Sequence, residues 1–372
     1  MTGRLRVGLL FGGASVEHEV SLDSARGVAS GLDAVRYEIV PLAVTGGGRW
    51  LTPERSRVVL ESGAPRAEAG EEGVDGARLV VDPSFKGLLR VGAGGATAPV
   101  PIDVLFPVLH GWGGEDGRLQ GLLDLAGIPC VGAGVLGSAL GMDKVMAKVV
   151  FESAGLPVGP WRPVEAAAFS EDPEGTAARV AGAVGVPLFV KPSNGGSSVG
   201  VSKVASADGV RRAIEVALAF DRRAVVERAI DAREIECAVL GNDEPEASVP
   251  GEIVPSREFY DYDAKYVDGT SRLLIPAPLD PGTAASVRRI AVDAFRALDL
   301  AGMARVDFLL DRRSGGVYLN EVNTLPGFTG ISMYPKLWES SGLPYPELLH
   351  RLIRLALERA ESAASRTTRR RA

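Results

Sequence analysis

Apolar positions in this chain gather into short dense runs separated by glycine-rich breaks. Residues 4–11 form an apolar run of strand type closed by Gly12 and Gly13, residues 21–32 have helical spacing, and residues 37–44 are again strand-like. A strand, loop, helix and strand in that order predict an α/β domain built on a parallel sheet. Residues 102–109 resume the sheet and run into His110-Gly111-Trp112-Gly113-Gly114-Glu115-Asp116-Gly117. A helix over 118–126 and a short strand over 128–131 close the domain, and Gly132-Ala133-Gly134 reads as a hinge. Residues 135–154 predict two helices, the second starting near Asp143. Residues 187–191 and 199–204 predict a hairpin whose tip is rich in Gly and Ser. Further strands are expected at 224–230 and 234–240, part of a helix at 292–298, a second hairpin at 304–310 and 317–322, and an amphipathic closing helix at 345–361. Residues 62–76 and 91–99 are small, polar and aperiodic and read as surface loops, and 366–372 as a solvated tail. No internal repeat is present.

Composition narrows the function. The 372 residues suggest two or three domains. Lys and Arg number 41 and Asp and Glu 47, a net charge of −6 that argues against nucleic acid or an anionic membrane as the main partner. No apolar run reaches the ~18 residues of a membrane span, and the first strand is too short for a signal segment. The chain is therefore expected to be soluble and unprocessed. With two cysteines, Cys130 and Cys237, no disulfide framework is possible, and a reducing cytoplasm fits. His18, His110 and His350 lie far apart, which disfavours a His/Cys zinc site.

The predicted 304–323 hairpin carries the sharpest chemistry. Alternate residues of a strand share a face, so Arg305 joins Asp307, and Glu321 joins Asn323. Adjacent strands would gather Asp307, Glu321 and Asn323 as oxygen donors suited to Mg²⁺, with Arg305 beside them to stabilise an oxyanion. The same pattern also suits a surface charge ladder, although acidic residues set between apolar positions weaken that reading. Lys191, ahead of the Gly/Ser tip at 192–198, suits phosphate, although such a tip also serves as a plain flexible turn. The lysine precedes the glycines, so this is no Walker A loop. The loop after the first strand lacks a dinucleotide fingerprint. Its Glu17 and Glu19 suit a substrate ammonium or, more simply, a helix N-terminus. The aromatic and charged run 258–266 reads as a functional loop or a packed Ω-loop. The strand over 225–230 offers backbone groups to a base, and Glu234 a carboxylate to a ribose.

Taken together, these segments resemble the D-alanine–D-alanine ligases of the ATP-grasp superfamily. The resemblance runs in order from about residue 5 to 344. It rests on Glu17-His18-Glu19-Val20-Ser21, on His110-Gly111 with Gly114-Glu115-Asp116-Gly117, and on Gly141-Met142-Asp143-Lys144. It continues through Lys191-Pro192 with Gly196-Ser197-Ser198-Val199-Gly200, Tyr260-Asp261-Tyr262-Asp263-Ala264-Lys265-Tyr266 and Asn320-Glu321-Val322-Asn323-Thr324-Leu325-Pro326-Gly327. It implies a Rossmann-like N-terminal α/β domain over 1–132, a central ATP-grasp domain over 133–227 and a C-terminal one over 228–372, the last two being α+β and enclosing ATP.

The implied reaction moves the γ-phosphoryl of ATP to one D-alanine carboxylate, and the amine of a second D-alanine then displaces phosphate. The resemblance places Lys144 and Lys191 on phosphates, Glu234 on the ribose, and Glu227, Arg228 and Ile230 along the adenine. Arg228 stands where many relatives have lysine. Asp307, Glu321 and Asn323 would hold two Mg²⁺, with Mn²⁺ as a substitute. Glu17 would bind the first ammonium and connect through Ser197 to Tyr266, with His110 near the carboxylate. Arg305 and the N–H of Gly327 would face the oxyanion, and Lys265, Ser332 and Met333 would line the second D-alanine site. A homodimer is implied, along with peptidoglycan precursor synthesis. An ester-forming D-alanine–D-lactate ligase is disfavoured by Tyr266, and a non-catalytic nucleotide or amino-acid binder by Arg305, Asp307, Glu321 and Asn323 together. Another carboxylase or amino-acid ligase of the superfamily is disfavoured by the Glu17 and Tyr266 segments. The loops at 193–198 and 256–270 are expected to close over the site, because an acyl phosphate must be kept from water.

Overall fold

Leu5–Gly12 sits at the centre of a parallel sheet, between Tyr37–Val44 and Val104–Pro107, in the computed structural model, which describes residues 3–62, 76–91, 95–255 and 272–368. Most of this strand is buried, as expected where both faces of a parallel sheet are covered. The helix His18–Gly31 starts three residues earlier than its apolar spacing suggests. Acidic Glu19 in its first turn complements the helix dipole. The strand expected at 128–131 shrinks to one parallel bridge between Leu105 and Cys130. Gly127 and Gly132 adopt φ of +66° and +98° on either side and cut it short.

The loop reading of 91–99 is corrected in part. Gly76–Leu79, Gly87–Val91 and Thr97–Pro101 form a small antiparallel sheet, so Thr97, Ala98 and Pro99 lie in a strand. Pro99 and Pro101 disguise it, yet both are tolerated because the strand is an edge. Leu88 and Ala77 drop into a core with Leu10, Leu42 and Leu105.

The second half holds two antiparallel sheets. One runs Trp161–Glu165, Arg223–Arg228, Leu188–Pro192, Ser202–Val204, backed by Pro173–Val184 and Val210–Leu218 around Val164, Leu188, Val190, Ile214 and Val226. The returning strand of its hairpin starts at Ser202 and not at Val199. Ser197, Ser198 and Gly200 all have positive φ, which prevents pairing before that point. The other sheet runs Arg272–Leu274, Gly251–Val254, Ala232–Gly241, Gly302–Asp311, Val317–Asn323, with Glu246–Ala247 paired to Ala232–Gly241. Pro281–Ala297 covers it. That helix begins with Asp280 accepting from Gly282 and Thr283 N–H at 3.0 Å each, and with Pro281 at its first position.

The two halves share a core. Leu348, Leu349, Leu352 and Ile353 of the closing helix, Tyr345–Thr368, bury in one cluster with Val7, Leu9 and Phe11 of the first strand and Leu240 and Met303 of the last large sheet. Arg359 on that helix donates to Cys130 O at 2.9 Å and to Gly132 O at 2.5 Å, holding the stretch expected to hinge. Among the described residues no helix is long and apolar enough to cross a membrane.

The helix His18–Gly31 lies so close to the 325–328 turn that a β-carbon at Gly27 would stand 2.3 Å from Phe328 O. Alanine for glycine inside a helix ordinarily gains about 1 kcal/mol. Here the clash reverses the sign, and Gly27→Ala is expected to destabilise by about 1–3 kcal/mol. Denaturant unfolding checks this, and a more stable variant would show that the contact gives way easily.

Candidate active site

A cleft of about 830 Å³ is lined by the four-stranded sheet, the six-stranded sheet and the first loop of the N-terminal sheet. Glu17, His110, Lys144, Lys191, Ser197, Glu227, Arg228, Ile230, Glu234, Arg305, Asp307, Glu321, Asn323, Gly327, Ser332 and Met333 all line it. Every expected site residue within the described part of the chain is thus brought to one place. Lys265 and Tyr266, with the rest of 256–271, lie outside the described residues.

Strand register builds the acidic side. Asp307 pairs across the ladder with Glu321, and Arg305 with Asn323, with an irregularity just after Asp307. On the other flank Asp307 pairs with Glu236, a buried residue that sequence reasoning passed over. Its spacing from Glu234 by two residues was the available signal. Arg305 Nε and a terminal nitrogen donate to the two Asp307 oxygens at 2.8 and 2.7 Å, and Nε lies 3.2 Å from Glu236 Oε2. Glu321 Oε2 is 3.5 Å from Lys144 Nζ, and Asn323 Oδ1 accepts from Leu325 N–H at 3.0 Å. Two carboxylates and one amide oxygen on neighbouring register positions are hard donors of the kind Mg²⁺ takes, with room in the cleft for further oxygens. The donor set therefore fits a divalent cation.

The opposite side is cationic. Lys144 opens the helix Lys144–Ser153, whose N-terminus Asp143 caps by accepting from Met146 N–H at 3.1 Å, and its Nζ reaches Gly195 O at 2.7 Å. Lys191, on Leu188–Pro192, lies 2.7 Å from one Glu227 oxygen, and Lys148 Nζ lies 2.5 Å from the other. Burial alone would raise the Glu227 pKa, but two ammonium groups outweigh it and hold the carboxyl well below the usual range. Burial would lower that of Lys191, but the charges of Glu227 and Glu321 hold it above its ordinary value. The Glu227 side chain is therefore engaged by two lysines, and its backbone lies in the ladder between Trp161 and Phe189. Lys148 is a second residue that sequence reasoning missed. It stands one turn after Lys144 on the same helix and also donates to Asn320 O at 3.2 Å.

The third side joins segments distant in sequence. Ser197 Oγ donates to Glu17 Oε1 at 2.5 Å, across 180 residues. Ser197 and Ser198 hold φ of +49° and +60°, a conformation uncommon for residues other than glycine. The base of their loop is tied by Ser193 Oγ donating to Asp143 Oδ1 at 2.5 Å and by Asn194 donating to Asp221 at 2.9 Å. His110 is buried with Nδ1 at 3.1 Å from Leu325 O and Nε2 at 3.2 Å from Ser24 Oγ, which itself accepts from Phe328 N–H at 3.1 Å. Burial works against a proton on His110, but the Glu115 carboxylate, 3.7 Å from its Nδ1, raises its pKa. This chain of bonds fixes the turn that carries Gly327, where a β-carbon would stand 2.7 Å from Ser332 Oγ.

Known proteins are similar to this chain along nearly its whole length. The family descriptions "D-ala D-ala ligase N-terminus" and "D-ala D-ala ligase C-terminus" match residues 6–133 and 150–354. The chain is 51% identical over 354 residues to a D-alanine–D-alanine ligase of Thermoanaerobacter pseudethanolicus, covering 95% of this chain and 96% of that one. It is 48% identical over 362 residues to one of Ruminiclostridium cellulolyticum, covering 96% of each. Among solved structures it is similar to the D-alanine–D-alanine ligase of Coxiella burnetii, at TM-score 0.83 and 35% identity over 98% of this chain and 97% of that one. It is also similar to the VanG D-Ala:D-Ser ligase of Enterococcus faecalis, at TM-score 0.82 and 34% identity over 95% of this chain and 100% of that one. The same domain pair, the same order of elements and this level of identity leave one assignment: the chain belongs to the D-alanine–D-alanine ligase family, whose fold is ATP-grasp.

Proposed function

We propose that this protein joins two D-alanine molecules at the expense of ATP, through a D-alanyl phosphate, for peptidoglycan precursor synthesis in the cytoplasm. The Ser197–Glu17 bond carries the reading: it closes the loop beside the phosphate-type lysines onto the acidic residue expected to hold a substrate ammonium. Lys144 and Lys191 neutralise the phosphates, Glu234 takes the ribose, and Glu227, Arg228 and Ile230 lie along the adenine. Glu17 holds the first D-alanine by its ammonium, and His110 lies by its carboxylate. The carboxylate oxygen attacks the γ-phosphorus and ADP leaves. The amine of the second D-alanine, held by Lys265, Ser332 and Met333, then attacks the acyl carbon. Arg305 and the Gly327 N–H stabilise the tetrahedral oxyanion until phosphate departs. Asp307, Glu321 and Asn323 would hold two Mg²⁺, or Mn²⁺, which supply charge neutralisation at the transferring phosphoryl oxygens. The role proposed for Tyr266, which lies outside the described residues, is to continue the connection of Glu17 and Ser197.

The domains are proposed at 1–132, 133–227 and 228–372. A homodimer is proposed as well, supported by the exposed apolar side chains Leu122, Leu125, Val135 and Leu136 on two adjacent helices. Nucleic acid and membrane are not proposed as partners, in keeping with the net charge of −6.

Phosphate release from ATP, with D-alanine, L-alanine, D-serine and D-lactate offered separately, tests the reading. D-alanine alone should support full release, and equal release with all four would overturn it. Glu321→Gln should stay folded and lose phosphate release, because a carboxylate that would hold the metal contributes several kcal/mol to the transition state through it. Near-normal turnover of that variant at ordinary Mg²⁺ would remove Glu321 from the metal site.

Tyr266→Phe should stay active and raise the ratio of kcat/KM for D-lactate over D-alanine as second substrate. The phenol orients the attacking amine and disfavours a hydroxy acid, and its loss leaves Ser197 to find another partner. An unchanged ratio would place acceptor choice in Lys265, Ser332 or Met333.

A further inference from the structure

Glu236 has no part in the reaction described so far, yet it lies at one end of the acidic row that lines the cleft. It lies on Ala232–Gly241, is 6% exposed, and lines the same space as Arg305 and Asp307. Its register partner is Asp307, whose other partner is Glu321, so three acidic residues form one row across three strands. Carboxylates at directly opposed positions repel unless a cation lies among them. Arg305 is that cation. It binds Asp307 through two nitrogens at 2.8 and 2.7 Å, and its Nε lies 3.2 Å from Glu236 Oε2.

The two acidic neighbours of Arg305 are not equivalent. Asp307 is one of the oxygen donors for the proposed Mg²⁺ site, and a carboxylate drawn to a divalent cation loses its side-by-side pairing with a guanidinium. The work assigned to Arg305 belongs to that same loaded state. Stabilising an oxyanion requires a donor already aimed before charge develops, and a long side chain released from its partner is not aimed. A second anchor is needed, and Glu236 supplies it from a neighbouring strand with its carboxylate out of solvent.

We propose that Glu236 is a positioning residue that holds the Arg305 guanidinium toward the acyl carbon while Asp307 serves the metal. The inference rests on the roles given above to Arg305 and Asp307. Glu236 touches neither substrate nor phosphate in this account and acts only through Arg305.

The test compares wild type, Glu236→Gln, Glu236→Asp, Arg305→Met and the double variant Glu236→Gln/Arg305→Met. Each is measured for kcat with D-alanine, Mg²⁺ needed for half-maximal rate, calorimetric affinity for ADP with Mg²⁺, and Tm. Arg305→Met should lose about 10²–10³-fold in kcat. Glu236→Gln should lose about tenfold in kcat, with ADP affinity and half-saturating Mg²⁺ moving less than about twofold. The double variant should be no slower than Arg305→Met within about threefold, because the second change acts on a group already gone. Glu236→Asp keeps the charge and should fall between wild type and Glu236→Gln; it carries the comparison alone if Glu236→Gln fails to fold.

Unchanged kcat in Glu236→Gln, or fully additive losses in the double variant, would overturn the inference. A loss restored by high Mg²⁺ would also overturn it and make Glu236 a metal ligand. Failure of the wild type to release phosphate with D-alanine would instead overturn the proposed function, and this inference with it.

Discussion

Everything in the cleft depends on the register of three antiparallel strands, Ala232–Gly241, Gly302–Asp311 and Val317–Asn323. Side chains alternate across a sheet, so each strand serves two environments. Ile235, Cys237, Val239, Val306 and Phe308 enter the core under Pro281–Ala297, while Glu234, Glu236, Arg305 and Asp307 line the cleft. A slip of one residue would exchange the two sets and bury charge where Phe295 and Ile290 now pack. The apolar face therefore places the cleft face, and the oxygen row across the strands follows from packing beneath it.

Charge compensation is the second constraint. The cleft removes Glu227, Glu236, Lys148 and Lys191 from water to a large degree, and such groups persist only with partners. Glu227 lies between two lysines, and Arg305 between two acidic side chains. The depressed pKa of Glu227 in the folded state means that its pairing stabilises the fold above the ordinary carboxyl pKa. The contribution is lost as pH falls toward the folded value. The pairing also holds Lys191 in place with its charge intact beside the expected phosphates.

The first half of the chain is tied to this machinery by packing as much as by polar contact. The closing helix shares one core with the parallel sheet and the large antiparallel sheet, and Arg359 clasps the carbonyls at 130 and 132. Gly27 lets the first helix approach the 325–328 turn, and Ser24 and His110 bind that turn by hydrogen bonds. Glu17 at the start of the same helix meets Ser197 from the middle of the chain. One helix thus positions both Glu17 and the turn that carries Gly327.

Local order was legible in the sequence because its causes are local. Period-two alternation over 304–323 marked the hairpin and put Arg305 with Asp307 and Glu321 with Asn323, and the family motifs named the cleft residues before any were seen together. The edge strand Thr97–Pro101 was hidden by its prolines, and the strand expected at 128–131 was stopped by two glycines whose positive φ no pattern of polarity reveals. Glu236 and Lys148 were passed over for a different reason. An acidic residue on a strand and a lysine on a helix are ordinary in isolation, and their importance comes from what lies opposite. For Glu236 that is Arg305 on a strand some seventy residues later, and for Lys148 it is Glu227. Residue type and spacing determined which groups could do the chemistry. Only the tertiary structure decided which charges neutralise one another, because that depends on register and burial between segments far apart in the chain.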